Sequence, residues 1–520
     1  MDTFLKSYTE KLSAQVRAAM TGAFVIGLLV HLPAMLSDIP NHDGLSSMYF
    51  DQNMITSGRW FLMIACGASS YFTVPWVIGL LGLLYLALAA GVLADLLQLR
   101  SVRAGILTGG LLVAFPALAS TFAYVFTLDG YMCGLLLAVC AVRLTSAGKW
   151  GPLWGALCLA FSMGIYQAYL PFAIVLSIYV VLRAFGDASV SDESVGNGTG
   201  PVRVLVNHLI MGVSGFALYY VILRIFLLIQ GKELDTYQGI DRLGEGAADA
   251  TFLRAIPHVY TDFVKYPLSG GSLIPNAFAG IGLAMLLVAA AMTFFGRLRK
   301  GGWLKKPLFY VLFFLTLAAL PPALNGILLI TPSVNYHLIM RYAWVLIPLL
   351  ALAYADQAGD FREKTAGILF PAVLTAGAVL IFCYGLADNI GYANLQKKYE
   401  KTYGYCLRLL DRIEQTEGYY RGMPVAIIGV VGDESYPETD LTGKVTDGMI
   451  GLNGDYLVYT GENYGSFLKN YLGATVNFLP VEEVTDIYYS PEYREMDSFP
   501  AASALRIVDG VLYVKTENKD

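Results

Sequence analysis

The stretch 20-MTGAFVIGLLVHLPAMLSDIPNHDGLSSMYFDQNMITSGRW-60 decides the fold. Residues 20–37 form an apolar run long enough to cross a ~30 Å hydrocarbon core as one helix. Residues 37–60 then gather three aspartates (Asp38, Asp43, Asp51), one histidine (His42) and one arginine (Arg59). Nothing else in the first hundred residues collects so much polar chemistry. If the apolar run spans a bilayer, this polar segment is the first loop on the far side. A loop carrying carboxylates and a cation there can meet a lipid headgroup and a water-borne molecule together.

The composition agrees with a polytopic membrane protein. The 520 residues are 56% hydrophobic and only 14% charged, with a mean hydropathy of +0.56. The net charge of −5 says little, because the placement of Lys and Arg matters more than their sum. The first run is long and lacks a small-residue cleavage site, so it reads as an uncleaved helix. Five cysteines lie in or beside apolar runs and only Cys406 lies in the polar tail; no CxxC pair or Cys/His cluster suggests zinc or redox work. No Gly-rich phosphate loop is present, and no feature points to nucleic acid.

Residues 1–19 form an amphipathic pattern, with Phe4, Leu5, Tyr8, Leu12 and Val16 on one face, suited to the membrane surface. Apolar runs then follow near 20–37, 73–99, 104–122, 130–147, 151–168, 170–186, 204–230, 276–296, 307–323, 342–358 and 366–387. That is about eleven spans by the length rule. Alternate loops carry the cations: Arg100 and Arg103; Arg143 and Lys149; Arg183 and Arg203; Arg297 to Lys306; Arg362 and Lys364. The positive-inside rule puts these loops and the amino terminus in the cytoplasm. An odd number of spans puts the tail outside. The Gly/Ser-rich segment 187–203 reads as a cytoplasmic linker, so its Asn197 sequon carries no weight. In the long loop 231–275, Phe252, Ile256, Tyr260, Phe263 and Tyr266 recur near helical spacing and mark an interfacial helix.

After Ala387 the composition turns polar. A helical pattern runs to about Gly418, then come a strand candidate VAIIGVV at 425–431, a helix candidate YGSFLKNYLG and the hairpin LRIVDGVLYVK. Asp509-Gly510 supplies its type I′ turn. The domain plan is therefore residues 1–19 at the interface, 20–387 in the membrane, and 388–520 as a small extracytoplasmic α/β domain.

Asp43 closely follows a span and sits among Tyr49, Phe50, Trp60 and Phe61, which can dip the loop into the interface; it is either a reacting carboxylate or a solvated loop residue. Asp38 and Asp51 are weaker candidates. Asp129, in FTLDGY between two apolar segments, either faces a cavity or is a turn residue before Gly130. Arg59, Arg224 and Arg341 can hold an anionic headgroup bidentately, or snorkel, or pair with a carboxylate. His42 and His337 are candidate contacts or plain loop residues, and Tyr131, Tyr166 and Gln167 can line a cavity or join an aromatic belt.

SGRW (Ser57 to Trp60), LDGY (Leu128 to Tyr131), GIYQAYL (Gly164 to Leu170) and FPAASALRIVDGVLYVK (Phe499 to Lys515), in that order, resemble the bacterial Gtr-type glucosyl transferases, relatives of the serotype-converting O-antigen glucosyltransferases. The resemblance implies a GT-C-type integral membrane enzyme of the bacterial cytoplasmic membrane. Such enzymes take a sugar from a polyprenyl-phosphate carrier and pass it to a cell-surface glycan. It implies a catalytic acid in the first outer loop, which maps to Asp43, with Asp38 second. A carboxylate base and a cation on the leaving phosphate suffice for such a transfer, without an added cofactor. A divalent metal held by Asp43 and Asp129 is the less favoured version, because no DxD cluster is present. A transporter or flippase would show internal repeats and mid-span charges, a sensor or scaffold would not need the first-loop aspartates, and a glycan polymerase or ligase would need a block-sized donor.

Overall fold

The protein, described from a computed structural model, is defined over residues 12–47, 50–67, 73–188, 200–235, 251–269, 271–300, 302–330, 334–357, 363–429, 445–446, 448–452 and 457–516. The amphipathic segment up to residue 11, the Asn197 sequon and residues 236–250 of the long loop fall outside this range.

Every expected apolar run lies on helix. The helices are α1 (Ala14–Leu36), a short α2 (His42–Ser47), α3 (Pro75–Leu96), α4 (Val102–Ala114), α5 (Pro116–Ala123), α6 (Leu128–Thr145), α7 (Gly151–Ile165), α8 (Leu170–Ala188) and α9 (Pro201–Gln230). They continue with α10 (Thr251–Leu268), α11 (Ala277–Lys300), α12 (Pro307–Leu324), α13 (Leu346–Asp356, entered through a 3-10 turn Leu338–Val345) and α14 (Glu363–Gln415). Among the described residues nine helices are long and apolar enough to cross a membrane, ten if the bent pair α4 and α5 counts as one span. The shorter apolar helix α7 covers the remaining expected run.

Local chemistry sets the ends. Ser13 and Ser101 cap α1 and α4 by accepting the backbone N–H of Val16 and Ala104. Pro75, Pro201 and Pro307 sit in first turns, where their missing N–H is harmless. Pro116 breaks the 104–122 run instead: Phe115 is extended, and the two halves meet at 45°. Small residues let backbones touch. A Cβ on Gly109 would lie 2.3 Å from the Ala19 carbonyl oxygen, so α1 and α4 pack closely only because that position is glycine.

The two ends of the bundle differ. At one end the loop cations gather: Arg143 pairs with Asp95 at 2.5 Å, Arg183 donates to the Leu96 carbonyl, Arg297 bonds Gln357, and Asp356 accepts the Arg100 N–H. At the other end lie the first loop and the C-terminal domain. Helix α14 runs 53 residues, so the last apolar run and the polar helical pattern expected to reach about Gly418 form one helix ending at Gln415. The domain carries a four-stranded sheet in the order β2-β1-β4-β3, where β1 is Pro424–Ile428, β2 Asn477–Phe478, β3 Leu505–Val508 and β4 Val511–Lys515. Strand β1 is parallel to both neighbours, and β3 and β4 form the expected hairpin with Asp509 and Gly510 at positive φ. Helix α15 (Gly461–Phe467) covers it, held by its Thr460 cap.

The helix expected within the 231–275 loop exists as α10, with a shifted buried face. Ala255, Val259, Asp262, Phe263 and Tyr266 turn inward, whereas Tyr260 is exposed and donates to the Ala318 carbonyl. The side chain of Phe252 lies outside the described residues.

Candidate active site

Two of the motifs form one joint. The Ser57–Arg59 turn, with Gly58 at φ 78°, is pinned from below by Gln167. The Gln167 amide donates to the Ser57 carbonyl and to the Tyr219 hydroxyl, both at 3.0 Å, and Tyr219 donates to the Gly58 carbonyl at 3.1 Å. All three side chains are buried. Phe61 N–H donates to the Gly164 carbonyl at 2.8 Å. Trp60 lies flat against Gly164, where a Cβ would approach its ring to 2.6 Å, and it packs on Phe161 and Phe226. SGRW and GIYQAYL therefore need each other's shapes.

The joint holds Arg59 over an aromatic stack. Tyr131, from the first turn of α6, stacks on Tyr166 at 4.6 Å and 4°. The Arg59 guanidinium donates to the Tyr131 hydroxyl at 3.0 Å and lies 5.0 Å over the Tyr166 ring. Asp43 opens α2, is 53% exposed, and lies 3.4 Å from the His42 imidazole. Helix α2 is seated from the far side: Leu45 is buried in the core of the C-terminal domain with Cys406, Leu409, Tyr464 and Phe467. Arg59, Tyr131, Tyr166 and Gln167 thus come together, with Gln167 supporting the turn, and α2 brings Asp43 and His42 alongside by packing on the Val125–Thr127 turn that leads into Tyr131.

The other candidates lie elsewhere. Asp38, at the end of α1, lines a cavity of about 30 Å³ with Ser37, Gly44, Phe122 and Tyr392, and partial burial pushes its carboxyl above the usual range. Asp51 accepts the Asn53 N–H in a local turn. Asp129 is buried and accepts the Gly130 N–H at 2.9 Å. Arg224 is on the exposed face of α9. His337 stands at the start of the 3-10 turn before α13, makes no capping bond with its side chain, and is partly buried.

Arg341 is fully employed. Its guanidinium grips Asp262 bidentately, at 2.6 and 2.8 Å, between the rings of Tyr336 and Tyr266 at 4.0 and 4.4 Å. Asn325 completes the group by donating to Asp262 and accepting from Tyr336 and Trp344. This network braces α10 against the 3-10 turn Leu338–Val345, which itself packs on the Gln167–Tyr169 turn. Among the described residues no three His, Cys, Asp or Glu side chains gather as a metal site needs.

Several polar residues were not singled out from the sequence. Tyr219 and Asp262 were hidden in apolar or amphipathic patterns, although a membrane-embedded Arg341 asks for a carboxylate. Asp388, just past an apolar run, is wholly buried, and neither oxygen has a hydrogen-bond partner among the described residues. Nearby, Tyr392 hydrogen-bonds His31 at 2.6 Å, and His31 bonds the Val113 carbonyl at 2.8 Å.

The family model of the glucosyl transferase GtrII matches residues 32–348, which include every candidate from Asp38 to Arg341. All of α14 and the C-terminal domain lie outside the match. No curated protein and no solved structure matches the chain. A helical bundle of membrane-spanning length, built around motifs that fall inside a match to more than half of its residues, places this chain in the glucosyl transferase GtrII family, and it is a membrane glycosyltransferase.

Proposed function

We propose that the enzyme moves a hexose, glucose by preference, from a polyprenyl-phosphate carrier to a cell-surface glycan on the extracytoplasmic face, with inversion and with Asp43 as general base. One observation carries this reading: the short segment after the first span holds a half-exposed carboxylate, Asp43, on α2 and a guanidinium, Arg59, fixed on the Tyr131 hydroxyl, and α2 packs on the Val125–Thr127 turn that leads into Tyr131.

The chemistry balances with these two groups. The acceptor hydroxyl oxygen attacks the anomeric carbon and its proton passes to the Asp43 carboxylate. The bond from that carbon to the carrier phosphate oxygen breaks with its electron pair, so the phosphate gains one negative charge. Arg59, fixed by Tyr131, Tyr166 and the Gln167 joint, meets that charge. A phosphate ester leaves readily, so no acid is required. Arg341 already shares its charge with Asp262 and serves the frame instead. Asp38 is the second choice for the base.

Sugar transfer from synthetic polyprenyl-phosphate-glucose tests this, with wild type beside Asp43→Asn, each with and without EDTA. Transfer lost in Asp43→Asn and kept by wild type in EDTA supports a carboxylate base acting without metal. Wild-type activity abolished by EDTA defeats the metal-free version. Full activity in Asp43→Asn moves the base to Asp38, which Asp38→Asn then checks.

A further inference from the structure

The proposed base lies on a seam between two parts of the chain. His42 contacts Asp43 on one side at 3.4 Å and, on the other, the ring of Tyr459 edge-to-face at 5.8 Å. Tyr459 belongs to the C-terminal domain, immediately before the Thr460 cap of α15. It is 44% exposed, although α2 and α15 pack against each other beneath it. An aromatic ring held on a capped helix start, half open to water and one residue's width from the carboxylate, suits the apolar C–H face of a sugar.

The seam is fixed from both directions. Leu45 locks α2 into the C-terminal core. Met449 and Leu452 reach back into the membrane core, and a Cβ on Gly451 would meet the Tyr124 ring at 2.8 Å and the Asn41 amide at 3.1 Å. Asn41 in turn caps α2 by accepting the Gly44 N–H at 2.7 Å. Tyr459 and Asp43 therefore hold one spacing, as a site for one sugar ring needs.

We propose that Tyr459 is an acceptor-binding residue, the platform on which the glycan's receiving sugar stacks so that its hydroxyl meets Asp43. The proposal rests on the reading of Asp43 as base. It divides the labour: donor chemistry sits inside the family match and the acceptor is chosen by a residue outside it.

The test uses the full-length purified enzyme, labelled polyprenyl-phosphate-glucose, and surface glycan extracted from the cells that make the protein. Tyr459→Ala is expected to raise the glycan KM about tenfold, the loss of one stacking contact and its buried area, with the donor KM within about twofold of wild type. Tyr459→Phe, which keeps the ring, is expected to restore the glycan KM. Tyr459→Leu fills the same space without an aromatic face and serves if the alanine variant does not fold. An unchanged glycan KM in the alanine and leucine variants, with Asp43→Asn inactive, overturns the platform and leaves the base standing. An equal loss toward donor and glycan also overturns it, by making Tyr459 a structural prop. Full transfer by Asp43→Asn overturns the base first, and the platform with it.

Discussion

Gln167 is the residue through which the joint is most simply tested. Replacing it by leucine keeps the volume and removes two donated hydrogen bonds, to the Ser57 carbonyl and the Tyr219 hydroxyl. Each bond is worth about 1 kcal/mol net, and a buried carbonyl left unsatisfied costs about 1–3 kcal/mol. Tyr219 keeps its own donation to the Gly58 carbonyl, so the expected loss in placing the turn is about 2 kcal/mol. If that loss falls on the transition state, kcat/KM for glucosyl transfer drops about 30-fold. Tyr219→Phe removes the shared hydroxyl and should give a similar but smaller fall. The double variant should fall short of the product of the two, because both singles break the same bond. Kinetics of Gln167→Leu, Tyr219→Phe and the pair, beside thermal melts, supply the cycle. Activity of Gln167→Leu within about twofold of wild type would refute the support role. A large loss in Gln167→Leu with none in Tyr219→Phe would instead mean that Gln167 touches substrate.

Three further outcomes are expected. Asp262→Ala strands the Arg341 charge in a buried site and should cost about 3–5 kcal/mol in unfolding measurements in micelles, while Asp262→Leu with Arg341→Met recovers most of it; equal stability of single and double variants would argue against the pair. Asp388→Leu should melt at the wild-type temperature or above, since the buried carboxyl has no described partner to lose; a marked fall would reveal one. Asp38, whose carboxyl is raised by burial, binds its proton more tightly folded than unfolded, so its contribution to stability falls as pH rises from below its ordinary 3.8 to above the raised value. Melts across that window should slope less in Asp38→Asn, and an unaltered slope would sink the assignment.

Much of this was written in the sequence, in a form that composition can carry. Each apolar run became helix because a backbone in hydrocarbon must satisfy itself. The Asp509-Gly510 turn was legible because few residues accept positive φ. The change of composition at Ala387 falls inside one helix, whose end near Gly418 was legible because glycine breaks helical periodicity. Among the candidates, Asp43, His42, Arg59, Tyr131, Tyr166 and Gln167 do converge, yet no spacing in the sequence announces that Gln167 faces the turn rather than a cavity. Arg341 looked like an anion site because its partner Asp262 lies 79 residues away on an amphipathic helix. Pairings over such distances come from how the helices pack, which short-range patterns do not encode.

The unbroken helix α14 has a geometric corollary. Because the helix that leaves the membrane bundle itself supplies Cys406, Leu409 and Ile413 to the core of the C-terminal domain, the angular phase of the domain is set by the count of residues along one screw. Each inserted residue turns everything beyond it by about 100° and lifts it by about 1.5 Å. Leu45 and Met449 pin the domain at separate points, so a single insertion would pull those pins out of register. Seven or eleven residues bring the screw back to within about 20°, on opposite sides. Even those steps lift the domain by about 10 or 16 Å, beyond the reach of both pins, so the length of this helix is fixed to the residue, as the pitch of a bolt fixes where its nut can seat.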